Sequence, residues 1–182
     1  MVRVFLAAPI PPKTKELLGK QIRKIREKLP DWKVNWEVPK NLHITLIFFG
    51  WITEKQIAQI QREIEGTVKD FPSFEVTVGN LSFHQNHPIW FEIEKGNEKL
   101  NQIYQLLKKK LSTKGSTAEK RAFHPHLTIG RVKNRGKTHK TLETGKLFSW
   151  EVDKLVLYES KLSREGSTYT ELALFPLKAR GK

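Results

Sequence analysis

The 182-residue sequence has no cysteine, and this absence excludes several kinds of protein. Without thiols there is no disulfide scaffold, no cysteine nucleophile and no thiolate metal site. Long apolar runs are absent too: the longest, residues 46–52, is far shorter than the roughly 20 residues of a membrane-spanning helix. Residues 1–9 hold only a brief apolar run and lack the layout of a signal peptide. We therefore expect a soluble cytoplasmic protein with no membrane partner.

Acidic residues are scarce relative to basic ones. The chain has 33 Lys and Arg but only 19 Asp and Glu, which gives a formal net charge of +14. The imbalance is steepest in residues 108–140, where eleven residues are basic and Glu119 alone is acidic. Charge that served only solubility, as in heat-adapted proteins, would be spread evenly. Because cationic clusters gain free energy by releasing counterions from phosphates, this pattern indicates a nucleic-acid partner.

The order of predicted elements indicates an α+β fold. Apolar residues recur every three or four positions in three helical segments, which begin near Pro12, Thr53 and Asn97. About seven segments are typical of strands: residues 2–7, 43–49, 74–83, 89–93, 126–132, 148–158 and 169–177. Polar composition predicts loops at 84–88, 112–119 and 133–140. Short turns between consecutive strands favour antiparallel pairing over a doubly wound parallel sheet.

The tripeptide His-x-Thr occurs three times although the chain has only six histidines. In the copies at His43 and His126, bulky aliphatic residues stand between and after the His and the Thr. Alternate residues of a strand share a face, so His43 and Thr45 lie side by side, and His126 and Thr128 repeat the arrangement. A helix precedes such a strand in each half, which predicts one domain, residues 1–182, of two related lobes. We interpret the third copy, at His139 in a polar run, as coincidence.

Two matched pairs of His and Thr suit chemistry at phosphorus. Imidazole can act as an acid or a base near neutral pH. One of two histidines can take a proton from a nucleophile while the other gives one to the leaving oxygen. Each Thr hydroxyl can donate to a phosphoryl oxygen on which negative charge develops. A single such motif would suggest ordinary strand residues, but a matched pair in a basic protein favours catalysis without a metal or cofactor.

Two other interpretations of these residues remain open. The pair His124 and His126, or His84 and His87, could contribute to a metal site. We predict none, because neither pair has a carboxylate or cysteine nearby in sequence and zinc sites usually need three or four ligands. The chain could also be a non-catalytic single-stranded RNA-binding module with stacking aromatics. Binding alone, however, gives no reason for two matched His-x-Thr strands.

Two longer segments resemble the paired signature motifs of the two-histidine phosphoesterases. They are residues 41–50, Asn-Leu-His-Ile-Thr-Leu-Ile-Phe-Phe-Gly, and residues 123–131, Phe-His-Pro-His-Leu-Thr-Ile-Gly-Arg. Within these enzymes, the chain is most similar to the RNA 2′,3′-cyclic phosphodiesterases, also named 2′-5′ RNA ligases. The first strand and the segment 157–172, with its Gly166 and Tyr169, resemble the opening and closing parts of that family. The resemblance therefore spans nearly the whole chain.

The resemblance implies a fold and an activity. The fold is bilobal, with two pseudo-symmetric lobes of mainly antiparallel sheet, outer helices, and a central cleft that both His-x-Thr strands face. The activity is hydrolysis of a terminal 2′,3′-cyclic phosphate of RNA to a 2′-phosphate, with 2′-5′ ligation at the same site. The expected partner is RNA with such ends, and we expect a monomer. The basic segment after the second motif is not a feature of every member, so a preference for longer structured RNA stays open.

The resemblance also implies roles for five residues. By motif position, His43 is the proton donor and His126 the proton acceptor. Thr45 and Thr128 hold the phosphate. Arg131 falls where many relatives carry an arginine that contacts phosphate.

Overall fold

The computed structural model describes residues 1–83, 88–112, 123–136, 145, 147–163 and 166–180. In chain order the elements are β1 (Val2–Pro9), α1 (Pro12–Glu27), β2 (Lys33–Trp36), a 3₁₀-helix (Pro39–Asn41), β3 (His43–Ile52), α2 (Glu54–Val68), β4 (Phe74–Phe83), β5 (Pro88–Lys95), α3 (Asn97–Ser112), β6 (His126–Asn134), β7 (Phe148–Val152), β8 (Lys154–Ser163) and β9 (Gly166–Pro176). No helix in this part of the chain is both long and apolar enough to span a membrane.

The strands form two antiparallel sheets. The first has the order β3-β1-β8-β9, and the second has the order β2-β6-β5-β4-β7. Strand β1 is central in its sheet, and Leu6 and Ala7 are completely buried because β3 and β8 flank them. Each sheet holds one His-x-Thr strand, β3 in the first and β6 in the second. The predicted α+β class and antiparallel pairing are confirmed.

The helices begin where the sequence predicts. Helix α1 starts with Pro12 at its first turn, where the missing N–H costs no hydrogen bond. Thr53 caps α2 through a capping box: the Gln56 N–H donates to the Thr53 hydroxyl (3.3 Å), and the Thr53 N–H donates to the Gln56 side-chain oxygen (2.8 Å). These caps fix the ends of helices whose apolar faces contribute to the core.

One strand prediction is wrong, and one strand of the structure is not predicted at all. The segment predicted as one strand, residues 148–158, breaks at Asp153, where the chain leaves the second sheet and enters the first. The break is hard to see in the sequence because apolar residues recur on both sides of it, alternately in β7 and consecutively at 155–157 in β8. Strand β2 has no counterpart among the predicted strands, since it is a four-residue edge strand that follows a proline and an aspartate.

Most residues of the three predicted loops lie outside the part of the chain that the structure describes. Residues 84–87, 113–122 and 137–144 lie outside the described residues, and the third His-x-Thr copy at His139 is among them. Strand β6 continues to Asn134, so Lys133 belongs to a strand and not to the loop predicted from that residue onward.

Candidate active site

An open cleft of about 1190 Å³ lies where the two sheets meet. Side chains from both sheets line it, and all five predicted site residues are among them: His43, Thr45, His126, Thr128 and Arg131. The two motifs, 83 positions apart in sequence, therefore meet at one site. Burial is the main cause that lowers the pKa of His43, and the charge of His126 across the cleft acts in the same direction.

Strand alternation turns the His and Thr of each motif to the cleft. His43 and Thr45 are half-buried, whereas Ile44 between them is completely buried. In β6, Leu127 is likewise completely buried between its two half-buried neighbours. This confirms the predicted shared face, and the buried aliphatic residues anchor both strands in the core.

A β-bulge follows the Thr of each motif. Between β1 and β3 the pairing passes from Ala7–Thr45 to Leu6–Ile47, so β3 has one extra residue. Two consecutive residues, Leu46 and Ile47, are consequently buried, and the next side chain, Phe48, returns to the cleft.

The bulge in β6 has the same position relative to its motif. The pairing with β5 passes from Trp90–Thr128 to Ile89–Gly130, which leaves Ile129 as the extra residue. Ile129 and Gly130 are both buried, and Arg131 then lines the cleft. Arg131 of the second lobe therefore has the place that Phe48 has in the first, five residues after the histidine.

The His43 ring is positioned by a backbone carbonyl two residues upstream and by aromatic rings. Its Nδ1–H donates to the Asn41 carbonyl (2.6 Å), which leaves Nε2 to accept a hydrogen bond from the Thr45 hydroxyl (3.0 Å). The ring contacts Phe5, with centroids 4.8 Å apart, and the edge of Tyr169 at 5.3 Å. Burial lowers the pKa of His43 to about 4, because few groups here can replace the water that would solvate an imidazolium.

His126 repeats this arrangement in the second lobe. Its Nδ1–H donates to the carbonyl of His124 (2.7 Å), again two residues upstream, and its ring lies 4.5 Å from Trp90. The Trp90 indole N–H donates to Glu92 (2.6 Å), which fixes the ring against which His126 rests. Burial is the main cause that lowers the pKa of His126, and the Arg131 charge acts in the same direction. In both histidines the carbonyl fixes the tautomer and leaves Nε2 for chemistry.

The predicted metal alternative can be compared with this geometry only in part. Among the described residues, no three His, Cys, Asp or Glu side chains are grouped so that they could hold a metal ion. The rings of His124 and His126 are 6.3 Å apart, and Nε2 of His124 contacts Glu92 at 3.1 Å. His84 and His87 lie outside the described residues.

Sequence reasoning missed Arg26 and two further charged residues of the cleft, Arg3 and Glu37, whose contacts bear on its chemistry. The Arg3 guanidinium lies 4.6 Å above the Phe48 ring, so the first lobe also presents a cation next to its bulge. Glu37 follows β2, and its N–H donates to the Ile129 carbonyl (2.9 Å). Burial raises the pKa of the Glu37 carboxyl, although the Arg131 charge opposes this. Neither residue belongs to a recognisable motif, and each becomes visible only once the sheets are assembled.

Charge in the cleft is predominantly positive. Among the described residues that line it, four are basic and one is acidic: Arg3, Arg26, Arg131, Lys133 and Glu37. A cationic cleft that contains two neutral imidazoles and two hydroxyls favours an anionic ligand. Its chemistry fits proton transfer at a phosphate ester.

Two His-x-Thr strands, one in each of two antiparallel sheets, that line a common cleft define a two-histidine phosphoesterase. The sequence comparisons are more specific. The chain belongs to the 2′-5′ RNA ligase superfamily, whose sequence profile matches residues 13–164.

Individual relatives agree with this assignment. The RNA 2′,3′-cyclic phosphodiesterase of Thermotoga maritima is 30% identical, over 94% of this chain and 93% of the relative. The enzyme of the same name from Methanocaldococcus jannaschii is 32% identical, over 92% of this chain and 96% of the relative. Among solved structures, Escherichia coli LigT complexed with 3′-AMP has a TM-score of 0.82 at 24% identity and covers 97% of this chain and 98% of its own. The fold implied by the resemblance is confirmed.

Proposed function

We propose that this protein hydrolyses the 2′,3′-cyclic phosphate at RNA 3′ ends to a 2′-phosphate by acid–base catalysis with two histidines. The observation that carries the proposal is the equivalence of the two motifs. Each histidine donates Nδ1–H to a carbonyl two residues upstream, and each has a Thr on the same strand face in one cationic cleft. The names of the curated relatives support the same reaction.

The proton transfers follow from the tautomers. Neutral His126 has a lone pair on Nε2 and takes a proton from a water molecule as the water oxygen bonds to phosphorus. The bond from phosphorus to the 3′ oxygen breaks, and His43, protonated on both nitrogens, gives its Nε2 proton to that oxygen. The product is a 2′-phosphate and a free 3′-hydroxyl. A 5′-hydroxyl in place of water gives a 2′-5′ linkage by the same transfers.

The remaining side chains stabilise the charge of the transition state. Once His43 carries a proton on Nε2, the Thr45 hydroxyl no longer donates to that nitrogen. The hydroxyls of Thr45 and Thr128 then donate to the non-bridging oxygens, and Arg131 supplies a cation beside them. Substrate binding also prepares His43. Because an anion stabilises an imidazolium, the bound phosphodiester raises the pKa of His43 from its low value in the empty cleft and lets it carry the proton it must donate.

The proposal extends to the protein's mode of action. We expect a cytoplasmic monomer that forms a single bilobal domain. It should need neither metal nor cofactor, since His43, His126, Thr45, Thr128 and Arg131 account for each proton and for the charge on phosphorus.

The test is turnover of cytidine 2′,3′-cyclic phosphate in excess EDTA, with the product identified by ³¹P NMR. We expect cytidine 2′-phosphate, at a rate that EDTA does not change. Alanine at His43 or at His126 should lower the rate roughly 10²–10⁴-fold. Alanine at His139, in the third His-x-Thr copy, is the matched control and should have no effect.

Two results would contradict the proposal. Loss of activity in EDTA that Zn²⁺ or Mn²⁺ restores would indicate a metal-bound water and revive the His124–His126 site. Binding of RNA without any turnover would instead identify a non-catalytic RNA-binding module.

A further inference from the structure

A second cavity of about 370 Å³ opens beside the cleft. The two cavities share the lining residues Arg26, Val34, Asn35, Trp36 and Lys133, so the second continues the first. Leu29, Pro30, Trp32 and Lys33 complete its wall, and we call it the β2 groove. Its volume is within the range of ligand sites, about 300–1,000 Å³.

Aromatic side chains run along the β2 groove. Trp32, Val34 and Trp36 alternate with exposed residues and therefore share one face of the β2 segment. Trp32 is braced by the Phe83 ring, with centroids 5.6 Å apart in an edge-to-face contact. Both indoles are half-buried, so each is held in place and still accessible from the groove. Rings presented in this way can stack with unpaired bases.

The groove is also cationic. Arg26, Lys33 and Lys133 line it, and no acidic side chain does so in the part of the chain that is described. The Arg135 guanidinium lies 5.8 Å from the centre of the Trp32 ring and adds positive charge at this end. Alternating aromatic and basic groups along a groove are the combination that binds single-stranded nucleic acid, with bases on the rings and phosphates on the cations.

We propose that the β2 groove binds the RNA nucleotides that immediately precede the terminal cyclic phosphate. The inference rests on the proposed function, because it is the cyclic phosphate in the cleft that places the rest of the strand. A 2′,3′-cyclic phosphate ends its strand, so the remaining nucleotides leave through the 5′ side of the last ribose. The groove opens directly from the cleft, and its rings and cations suit an unpaired strand whose base faces are exposed.

Two groove residues allow a clean test, because Trp32 and Lys33 line the groove without lining the catalytic cleft. The substrates are cytidine 2′,3′-cyclic phosphate and a trinucleotide that ends in the same group. For the wild type we expect a lower KM with the trinucleotide. Trp32→Ala should raise the trinucleotide KM about tenfold, the effect of one lost base stack, and leave turnover of the mononucleotide unchanged. Lys33→Ala should also raise only the trinucleotide KM.

Matched controls come from elsewhere in the chain. Trp51 is 65% exposed and lines neither cavity, so Trp51→Ala removes an indole without touching the groove. Arg62 is an exposed residue of α2, and Arg62→Ala removes a positive charge in the same way. Both variants should treat the two substrates as the wild type does.

A third substrate separates stacking from damage to the fold. In a trinucleotide whose two upstream nucleotides are abasic, the phosphates remain but no base can stack. The effect of Trp32→Ala should vanish on this substrate, whereas that of Lys33→Ala should persist. Trp32→Phe, which keeps a ring, should recover most of the trinucleotide affinity.

The outcomes distinguish the inference from the proposed function. If the wild type turns over neither cyclic substrate, the proposed function fails. If it turns over both with the same KM, or if Trp32→Ala and Lys33→Ala impair the mononucleotide as much as the trinucleotide, the groove does not bind the upstream strand although the proposed function stands. If the Trp32→Ala defect is equally large on the abasic substrate, stacking on this ring is excluded.

Discussion

At the scale of single residues, the backbone carbonyl two positions before each histidine determines what that histidine can do. Because Asn41 and His124 accept from Nδ1, only Nε2 of each ring can exchange a proton with a ligand. Burial then lowers both pKa values, so both rings are neutral at pH 7 in the empty cleft. In the proposed mechanism, His126 can therefore act as a base in the empty cleft, whereas His43 gains the proton it donates only when an anion binds.

The lowered pKa values of both histidines determine how kcat/KM depends on pH. The proposed mechanism needs a neutral His126 and a charged His43 in the free enzyme. Both pKa values lie below 6.5, that of His43 at about 4. Plots of kcat/KM, which report the free enzyme, should therefore form a bell with its maximum on the acidic side of pH 6.5. Bound phosphodiester raises both values, so the kcat profile should be displaced to higher pH.

Initial rates with the cyclic mononucleotide between about pH 4 and pH 9 would check this. A value of kcat/KM that keeps rising to the alkaline end would indicate attack by hydroxide, and the two histidines would not be the acid and the base.

At the scale of elements, the two His-x-Thr strands repeat the same local structure. A bulge directly after each Thr buries two successive residues and returns the next side chain, Phe48 or Arg131, to the cleft. Alternation along the sequence predicts the shared face of His and Thr. Strict alternation would place Arg131 with Leu127 on the core face. No residue type in the sequence indicates the bulge that changes this, so only the family resemblance predicted Arg131 as a site residue. Strand β2 was missed for a similar reason, since its four residues gain their partner only when β6 lies beside them.

Gly130 shows how closely β2 lies on β6. A Cβ at this position would come within 2.9 Å of a Val34 methyl group and 3.1 Å of the Trp36 ring. Gly130→Ala should therefore displace β2 and lower the free energy of unfolding by about 1–3 kcal/mol in urea titrations. The control is Gly66→Ala in α2, where nothing lies within 4 Å and alanine should stabilise the helix by up to about 1 kcal/mol. Equal unfolding midpoints for Gly130→Ala and the wild type would show that Val34 and Trp36 do not lie this close to Gly130.

At the scale of the whole molecule, the positive charge of the cleft comes from residues that are far apart in sequence. The sequence predicts a polyanionic partner from its net charge and from the concentration of basic residues in the segment 108–140. Among the described basic residues of the segment 108–140, Arg131 and Lys133 line the cleft, whereas Lys108 lies on α3 and lines neither cavity. The Lys108 ammonium is 5.5 Å from the centre of the Tyr104 ring. Arg3 and Arg26, far away in sequence, complete the cationic surface. Sequence position alone therefore does not predict which basic residues lie together in the cleft.

A cationic cleft and groove predict different salt dependence for short and long substrates. In a log–log plot of kcat/KM against salt, each phosphate contact on a single strand contributes a slope of about −0.7. The trinucleotide, with upstream phosphates in the groove, should therefore show a steeper slope than the cyclic mononucleotide. Lys33→Ala should flatten the trinucleotide slope by about one contact. Equal slopes for the two substrates in the wild type would mean that only the terminal phosphate is bound.

The most direct test of the central claim, that the two histidines divide the proton transfers, uses a leaving group that needs no proton. On a nitrophenyl phosphodiester that fits the cleft, nitrophenolate departs unaided. The account predicts that most of the roughly 10²–10⁴-fold loss in His43→Ala is recovered on this substrate, while His126→Ala stays slow because its water is still not activated. Recovery of His126→Ala alone would reverse the two roles. Equal behaviour of both variants would contradict the division of labour altogether.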